Sequence, residues 1–330
     1  MISVIIPSYN SEKTIQRTIE ALLNQKFPKN NYEIIIVDDG SSDQTVNVAR
    51  EYPVKVFPLP HNGPAYARNF GAKKSRGNVI LFTDSDCVPD KNWIKNMVEP
   101  FEDKEVVGVS GTYKTLNKES FIARFGGYEI DQRHEKMAKQ KTIDFIGTFS
   151  AGYRKNIFLK FGGFDTRFKT SSGEDPELSY RIAKAGLKQV FKPSAFVYHP
   201  HPATLFKYLR QKYYRAVWRN LMYWDKHKDK VLSDSYTHKL LIPQVILSGL
   251  FSISILLWCL FSSILFSVAS AIFLGGNLLI AFLFNLDIFL FIWKKEKNIA
   301  LSVPFIFFAR NIVVGIGVIA GLFKYFRKKF

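Results

Sequence analysis

Short apolar runs separated by polar turns set the pattern of the N-terminal part of the chain: SVIIPS (3–8), YEIIIVDD (32–39), VKVFPL (54–59) and NVILFTD (78–84). Each is rich in β-branched residues, and the first three lead into a stretch with helical spacing. After the first, Ile15, Thr18, Ile19 and Leu22 recur at i, i+3, i+4 and i+7, one face of a helix. After the second, GSSDQTVNVAREY supplies Ser and Asp as candidate N-caps, and after the third, Pro64 stands at a first helical position. Such alternation predicts an α/β fold with a Rossmann-like, mostly parallel sheet and helices on both faces.

The pattern changes near residue 240. From 241 to 293 the only charged residue is Asp287, and the run is too long for one membrane crossing. At roughly 20 residues per crossing it accommodates two, at about 241–266 and 270–293. A buried helical hairpin in a soluble domain is the alternative, although few positions there suit water. A third apolar stretch, 301–323, is interrupted by Pro304 and by Arg310 with Asn311. The basic flanks KKEK (294–297) and KYFRKK (324–329) should both be cytoplasmic, which conflicts with a full third crossing. Either the stretch re-enters at Arg310 or it crosses against the charge rule; its length favours crossing.

Between these parts, 203–230 mixes aromatic and basic residues at helical spacing. Leu205, Leu209, Tyr213, Ala216 and Val217 fall on one face, and Lys207, Arg210, Lys212, Arg215 and Arg219 supply charge. It reads as a helix at the headgroup boundary or, alternatively, as a solvated helix of the soluble domain. The expected organisation is therefore a domain at 1–202, an interfacial region at 203–238 and a membrane domain at 239–330.

Composition sharpens this picture in two ways. Lys plus Arg number 46 against 28 acidic residues in 330, a formal charge of +18, which suits a phosphate-bearing partner or an anionic membrane face. The cysteines, Cys87 and Cys259, lack metal or disulfide spacing and indicate a reduced compartment. The opening MISVIIPSYN has no basic n-region and reads as a first strand rather than a signal peptide.

Against that basic background, LFTDSDCVPD (81–90) concentrates carboxylates at a strand end. In parallel α/β sheets ligands bind beyond the carboxyl ends of the strands. Pro7, Tyr9, Asp38, Asp39, Asp84 and Asp86 are thus expected around one crevice. Asp84 and Asp86, at i and i+2 on an extended segment, can address one cation, and their hard oxygens suit Mg²⁺ or Mn²⁺ beside a diphosphate. Cys87 is expected to be structural, because neighbouring carboxylates disfavour its thiolate. Asp90 is expected to cap a helix beginning near Lys91.

VIIPSYN, VDDGSSDQT, NGPAYARNFG, LFTDSD and GEDPELSYR, in this order, resemble the inverting family 2 glycosyltransferases of the GT-A fold over roughly residues 1–200. That resemblance implies a nucleotide site at Pro7, Tyr9, Asp38, Asp39, Asn62, Gly63, Arg68 and Asp84. It implies a metal and sugar-diphosphate site at Asp84 and Asp86, and a general base at Asp175, with Glu174 the less favoured member of the pair. Asp175 also reads as a helix N-cap before Pro176; both roles can coexist, since the turn that caps the helix fixes the carboxylate. His199, in VYHPHP, either completes the metal shell or makes a hydrogen bond at a loop start.

Processive members carry Q-x-x-R-W beside the membrane; here Gln211 and Arg215 stand one residue too far apart and Trp218 is displaced. The expectation is a membrane-anchored, multi-pass, non-processive hexosyltransferase of the cell membrane with a cytoplasmic catalytic domain. It would use a UDP or GDP sugar, Mn²⁺ or Mg²⁺ and a lipid-linked acceptor, and no nucleic acid. A nucleotidyltransferase or an inactive sugar-nucleotide-binding subunit is the alternative. A dinucleotide oxidoreductase lacks support, because no G-x-G-x-x-G follows the first strand.

Overall fold

The computed structural model describes residues 1–168, 173–225 and 282–329, with residues 243, 246, 275, 276, 278 and 279. Most of the expected crossing at 241–266, most of that at 270–293 before residue 282, and all of residues 226–238 lie outside the described residues. The chain forms two compact units, Met1–Leu116 with His134–Pro200, and Asn117–Arg133 with His201–Phe330.

The first unit is built on an eight-stranded sheet in the order β3-β2-β1-β4-β7-β6-β8-β5. The four anticipated runs form β1 (Ile2–Ser8), β2 (Tyr32–Asp38), β3 (Lys55–Pro58) and β4 (Val79–Phe82), all mutually parallel where they pair. Val4, Ile5, Ile6, Ile35, Ile36, Leu81 and Phe82 are fully buried, as strands covered on both faces require. Pro7 lies inside a central strand, normally a poor place for it, but β1 pairs with β4 only as far as Ile5, so the ladder on that side has already ended.

Beyond β4 the sheet is mixed. β7 (Ala151–Arg154) joins β4 antiparallel and β6 (Val106–Thr115) antiparallel, β8 (Lys188–His199) runs parallel to β6, and the two-residue β5 (Val88–Pro89) pairs antiparallel with β8. This half has weak sequence patterning: β6 is diluted by two glycines and β7 has no β-branched residue. β8 runs through Pro193 at an irregularity, where the register with β6 slips between Ser110 and Thr112, so the missing N–H breaks no regular ladder.

The helices of this unit are α1 (Ile15–Leu23), α2 (Thr45–Arg50), α3 (Pro64–Lys74), α4 (Trp93–Val98), α6 (Lys155–Lys160) and α7 (Glu174–Lys184). α1 buries the predicted Ile15, Thr18, Ile19 and Leu22, and α3 begins at Pro64 as expected. Three cap expectations are corrected. α2 is preceded by Gln44, while Asp43 accepts the Thr45 N–H from just outside the helix. α4 starts later than expected and is capped at Asn92, because Pro89 is still held in β5; Asp90 instead closes the preceding turn, its carboxylate accepting the Asn92 N–H at 2.9 Å. α7 is preceded by Gly173 and not by Asp175, which sits one position inside the helix.

The second unit is helical. α5 (Phe121–Met137, its residues to Arg133 in this unit), α8 (Leu205–Asp225), α9 (Leu286–Trp293), α10 (Lys297–Ala300) and α11 (Val303–Lys329) surround a core containing Phe125, Tyr208, Ile292, Val303 and Phe307. α11 is continuous, without the re-entrant break considered at Arg310. Pro304 is its second residue, where no intrahelical N–H is required. Among the described residues, Val303–Phe326 is the one helix long and apolar enough to cross a membrane.

Its polar pair is accommodated inside the unit. Arg310 and Asn311 are buried, and Arg310 Nη1 lies 3.5 Å from Glu129 Oε1 on α5. Glu129 also meets Arg133 at 2.7 Å, Lys212 at 2.7 Å and the Tyr208 hydroxyl at 3.0 Å. Burial alone would raise the Glu129 carboxyl, but Lys212, Arg133 and Arg310 outweigh it and hold it well below the usual carboxylate range. Lys212 is therefore not a charge displayed on α8 as the spacing had placed it; its partner, 83 residues earlier, draws it inward. Of the expected apolar face of α8, Val217 is buried, Leu209, Tyr213 and Ala216 are partly buried and Leu205 is exposed.

Candidate active site

Because β1 to β4 are parallel, their carboxyl ends share one edge of the sheet, and the predicted residues gather along it. Pro7 is buried one residue before the end of β1, and Tyr9 follows the strand half-exposed. Asp38 ends β2 and is turned inward: Oδ2 accepts the Ser41 N–H at 2.9 Å, and the hydroxyls of Ser8 and Ser41 donate to Oδ1. Asp39 is buried as well. Its carboxylate accepts the Asn62 N–H at 2.8 Å and the Gly63 N–H at 2.9 Å, tying the end of β2 to the turn before α3. Gly63 adopts φ +96°, a region open to glycine, which turns its N–H onto Asp39 as α3 begins.

The acidic loop after β4 is fastened from two sides. On one side, the Thr18 hydroxyl of α1 lies 2.7 Å from the Cys87 carbonyl, and Arg17 donates to the Asp86 carbonyl at 3.3 Å. On the other, β5 pairs Val88 with Tyr198, which brings His199, the last residue of β8, beside Asp86 with Nε2 3.7 Å from Oδ1. Burial raises the Asp86 carboxyl and the charge of Asp84 adds to this, while His199 and Arg17 pull it down. Two crowded carboxylates and an imidazole present oxygen and nitrogen donors that fit Mn²⁺ or Mg²⁺, and a cation would relieve their repulsion.

Donor atoms of Asp84, Cys87 and His199 also lie within 4.8 Å of one another. Cys87 is fully buried, however, and burial together with Asp84 and Asp86 pushes its thiol well above the usual range. The protonated thiol is a poor ligand for a hard ion and a poor nucleophile.

Arg68, expected beside the nucleotide, is 1 % exposed. Its Nη2 contacts Asp84 at 2.7 Å and its Nη1 contacts Glu174 at 2.9 Å, with the Phe164 ring 5.9 Å from the guanidinium carbon. It therefore joins the acidic loop after β4 to the start of α7. Glu174 is buried against it, whereas Asp175 is partly exposed. Burial, reinforced by the charge of Asp175 and opposed by Arg68, pushes the Glu174 carboxyl up from 4.5 to about 7. The folded chain thus retains a proton that the unfolded chain loses above about 4.5. The stability this group contributes is present below that pH and is lost as pH rises toward about 7. Glu174→Gln should flatten the fall of unfolding temperature across that window; an unchanged pH profile would remove Glu174 as its origin.

Two residues near the predicted set carried no sequence signal. Arg17 appeared only as a polar position of the α1 stripe, and His61 stood beside the noted Asn62 in an ordinary turn. His61 Nδ1 lies 2.9 Å from Asp39 Oδ2, and its ring packs on Tyr9 with centroids 4.4 Å apart.

Residues 3–162 match the sequence family described as Glycosyl transferase family 2. A glycosyltransferase of Haloferax volcanii, AglE, is 28% identical over 231 residues, 68% of this chain and 74% of the relative. A Methanococcus voltae enzyme is 25% identical over 98% of this chain and 97% of its own length. It is named dolichyl N-acetyl-alpha-D-glucosaminyl phosphate 3-beta-D-2,3-diacetamido-2,3-dideoxy-beta-D-glucuronosyltransferase. Several other relatives are longer, and this chain spans about half of their length. Among solved structures, a mannosyltransferase from Pyrobaculum calidifontis in complex with GDP-Man and Mn²⁺ aligns with TM-score 0.66 at 17% identity, over 100% of this chain and 88% of that one. The likeness establishes the GT-A type of fold.

Proposed function

The chain belongs to glycosyl transferase family 2, and from that premise we propose that it moves one sugar, with inversion, from a nucleotide-diphosphate donor to a lipid-linked acceptor at a membrane. The observation that carries the reading is the continuous series His199, Asp86, Asp84, Arg68, Glu174 and Asp175 along one sheet edge. In it a cation-binding group is joined through a buried arginine to a partly exposed carboxylate.

Asp84, Asp86 and His199 would hold Mn²⁺ or Mg²⁺, which supplies neutralising charge to the diphosphate leaving group. Asp175 takes the proton of the acceptor hydroxyl as that oxygen attacks the anomeric carbon opposite the departing diphosphate. Glu174 is the poorer candidate for this step, since its carboxyl is covered and engaged by Arg68. No protein nucleophile is needed for a single inverting displacement. Tyr9, Asn62, Gly63 and the turn held by Asp38 and Asp39 line the nucleotide side, with Pro7 beneath them; Arg68 acts on it only through Asp84. The apolar span Val303–Phe326 supports a membrane anchor, and the exposed Phe206 and Tyr214 with Lys207 and Arg210 on α8 support an interfacial helix. The multi-pass arrangement, the cytoplasmic orientation and the UDP or GDP donor are parts of the same proposal.

The test is to incubate membranes containing the chain with a panel of nucleotide sugars, a lipid-phosphate acceptor and Mn²⁺ or Mg²⁺, and to follow the products. Nucleoside diphosphate release is expected; release of pyrophosphate would assign nucleotidyl transfer instead. Asp86→Ala should raise the metal concentration needed for half-maximal turnover by at least about tenfold. An unchanged metal requirement would sink the assignment of Asp86.

A further inference from the structure

α11 has the apolar length to cross a bilayer, yet its neighbours carry charge along that length. Near its start, Arg310 meets Glu129 of α5, the carboxylate that also holds Lys212 of α8. At Gly317, in the middle of the span, α8 comes so close that a Cβ would lie 2.7 Å from the Tyr213 carbonyl oxygen and 2.9 Å from the Ala216 Cβ. Toward its end, Lys324 Nζ lies 4.0 Å from the centre of the Trp218 ring. The contacts ascend together in both helices, so α8 and α11 run side by side in the same direction.

The depth of α11 is thus also the depth of α8. Were α11 to stand across a bilayer, Arg215, beside Ala216 and only partly buried, would sit near mid-depth, and the Glu129 cluster would lie within the hydrocarbon. Charge at that depth is costly.

The exposed surface of α11 points the same way. Phe305, Ile316, Ile319, Phe323 and Phe326 are each more than half exposed. At 100° per residue they fall within one sector of about 80°, while Arg310, Gly317 and Gly321 are buried on the opposite side. A single apolar stripe on a helix whose other face packs on charged helices suits the surface of a membrane. Both basic flanks are also fastened to those charged helices: Glu296 of KKEK pairs with Arg124 of α5 at 3.2 Å, and Lys324 rests on Trp218 of α8. Lying in plane keeps both flanks on one face, as their charge requires, whereas crossing separates them.

We propose that α11 does not cross the membrane but lies in the plane of its surface beside α8. The stripe from Phe305 to Phe326 enters the acyl boundary of an anionic leaflet, and the basic flanks at 294–297 and 324–329 meet its headgroups. This goes beyond the reaction and rests only on the reading of the chain as membrane-bound.

Two measurements on the full chain test it. Lys294→Cys and Lys328→Cys, labelled with a membrane-impermeant maleimide before and after permeabilising cells, should react from the same face. Nitroxides on Phe305→Cys, Ile316→Cys and Phe323→Cys in vesicles containing phosphatidylglycerol should report one shallow depth, about 5–10 Å below the headgroups. The native chain, with Cys87 and Cys259 alone, sets the background in both. Labelling of the two flanks from opposite faces would overturn the proposal. So would an Ile316 label about 10 Å deeper than the other two, the spread that 1.5 Å per residue gives a crossing helix. Failure of the full chain to associate with membranes would overturn the membrane reading itself, a result distinct from either.

Discussion

Asp175→Asn is expected to lower turnover by roughly 10²–10⁴-fold while leaving donor affinity close to wild type, the loss typical of a general base removed without change of shape. The amide keeps the volume at the start of α7 but cannot take a proton from an attacking hydroxyl. Glu174→Gln serves as the comparison. Glu174 is buried and held by Arg68, so its replacement should act on stability and its pH profile more than on the chemical step. Single-turnover sugar transfer, with nucleoside diphosphate binding measured separately, separates the two. Full turnover in Asp175→Asn, or a larger loss in Glu174→Gln with the fold intact, would move the base elsewhere.

Arg68→Met should destabilise the first unit by about 1–3 kcal/mol, the cost of losing its hydrogen bonds to buried groups. The penalty falls mainly on Glu174, which is 1% exposed and takes up a proton once Arg68 no longer opposes its burial, whereas Asp84 keeps 28% of its side-chain surface and can be solvated. Arg68→Lys retains the charge but cannot place one nitrogen on each carboxylate, and should fall between wild type and Met. Adding Glu174→Gln to Arg68→Met should change stability near pH 7 little further, since the carboxyl is already neutral without Arg68. A loss below about 0.5 kcal/mol, ordinary for a surface change, would show that the bridge is not what holds α7 to the acidic loop.

Much of the crevice at the ends of β1 to β4 was legible because its signals are local. A β-branched run followed by Asp-Asp, by Asn-Gly-Pro or by Asp-x-Asp identifies a strand end and the loop after it, and β1 to β4 appear where those runs stand. The second half of the sheet was not legible. β6 and β7 have weak β patterning, and their antiparallel insertion beside β4 depends on pairings between residues far apart in sequence. The cap readings failed for a similar reason. Asp90 and Asp175 are good capping residues, but pairing of Pro89 with β8 delays α4, and α7 begins one residue before Asp175.

The sequence by itself determined the α/β class, the four parallel strands, the acidic loop and the apolar C-terminal helix, since periodicity and strand-end chemistry need only neighbours along the chain. The tertiary structure decided which charges meet. Arg68 reaches Glu174 across 106 residues, Glu129 reaches Arg310 across 181, and His199 reaches Asp86 because β5 pairs with β8. It also decided that His61 stands in front of Asp39. The physical reason is that a buried charge must find a partner wherever the fold supplies one, and that choice is made by long-range packing, which leaves no period in the sequence.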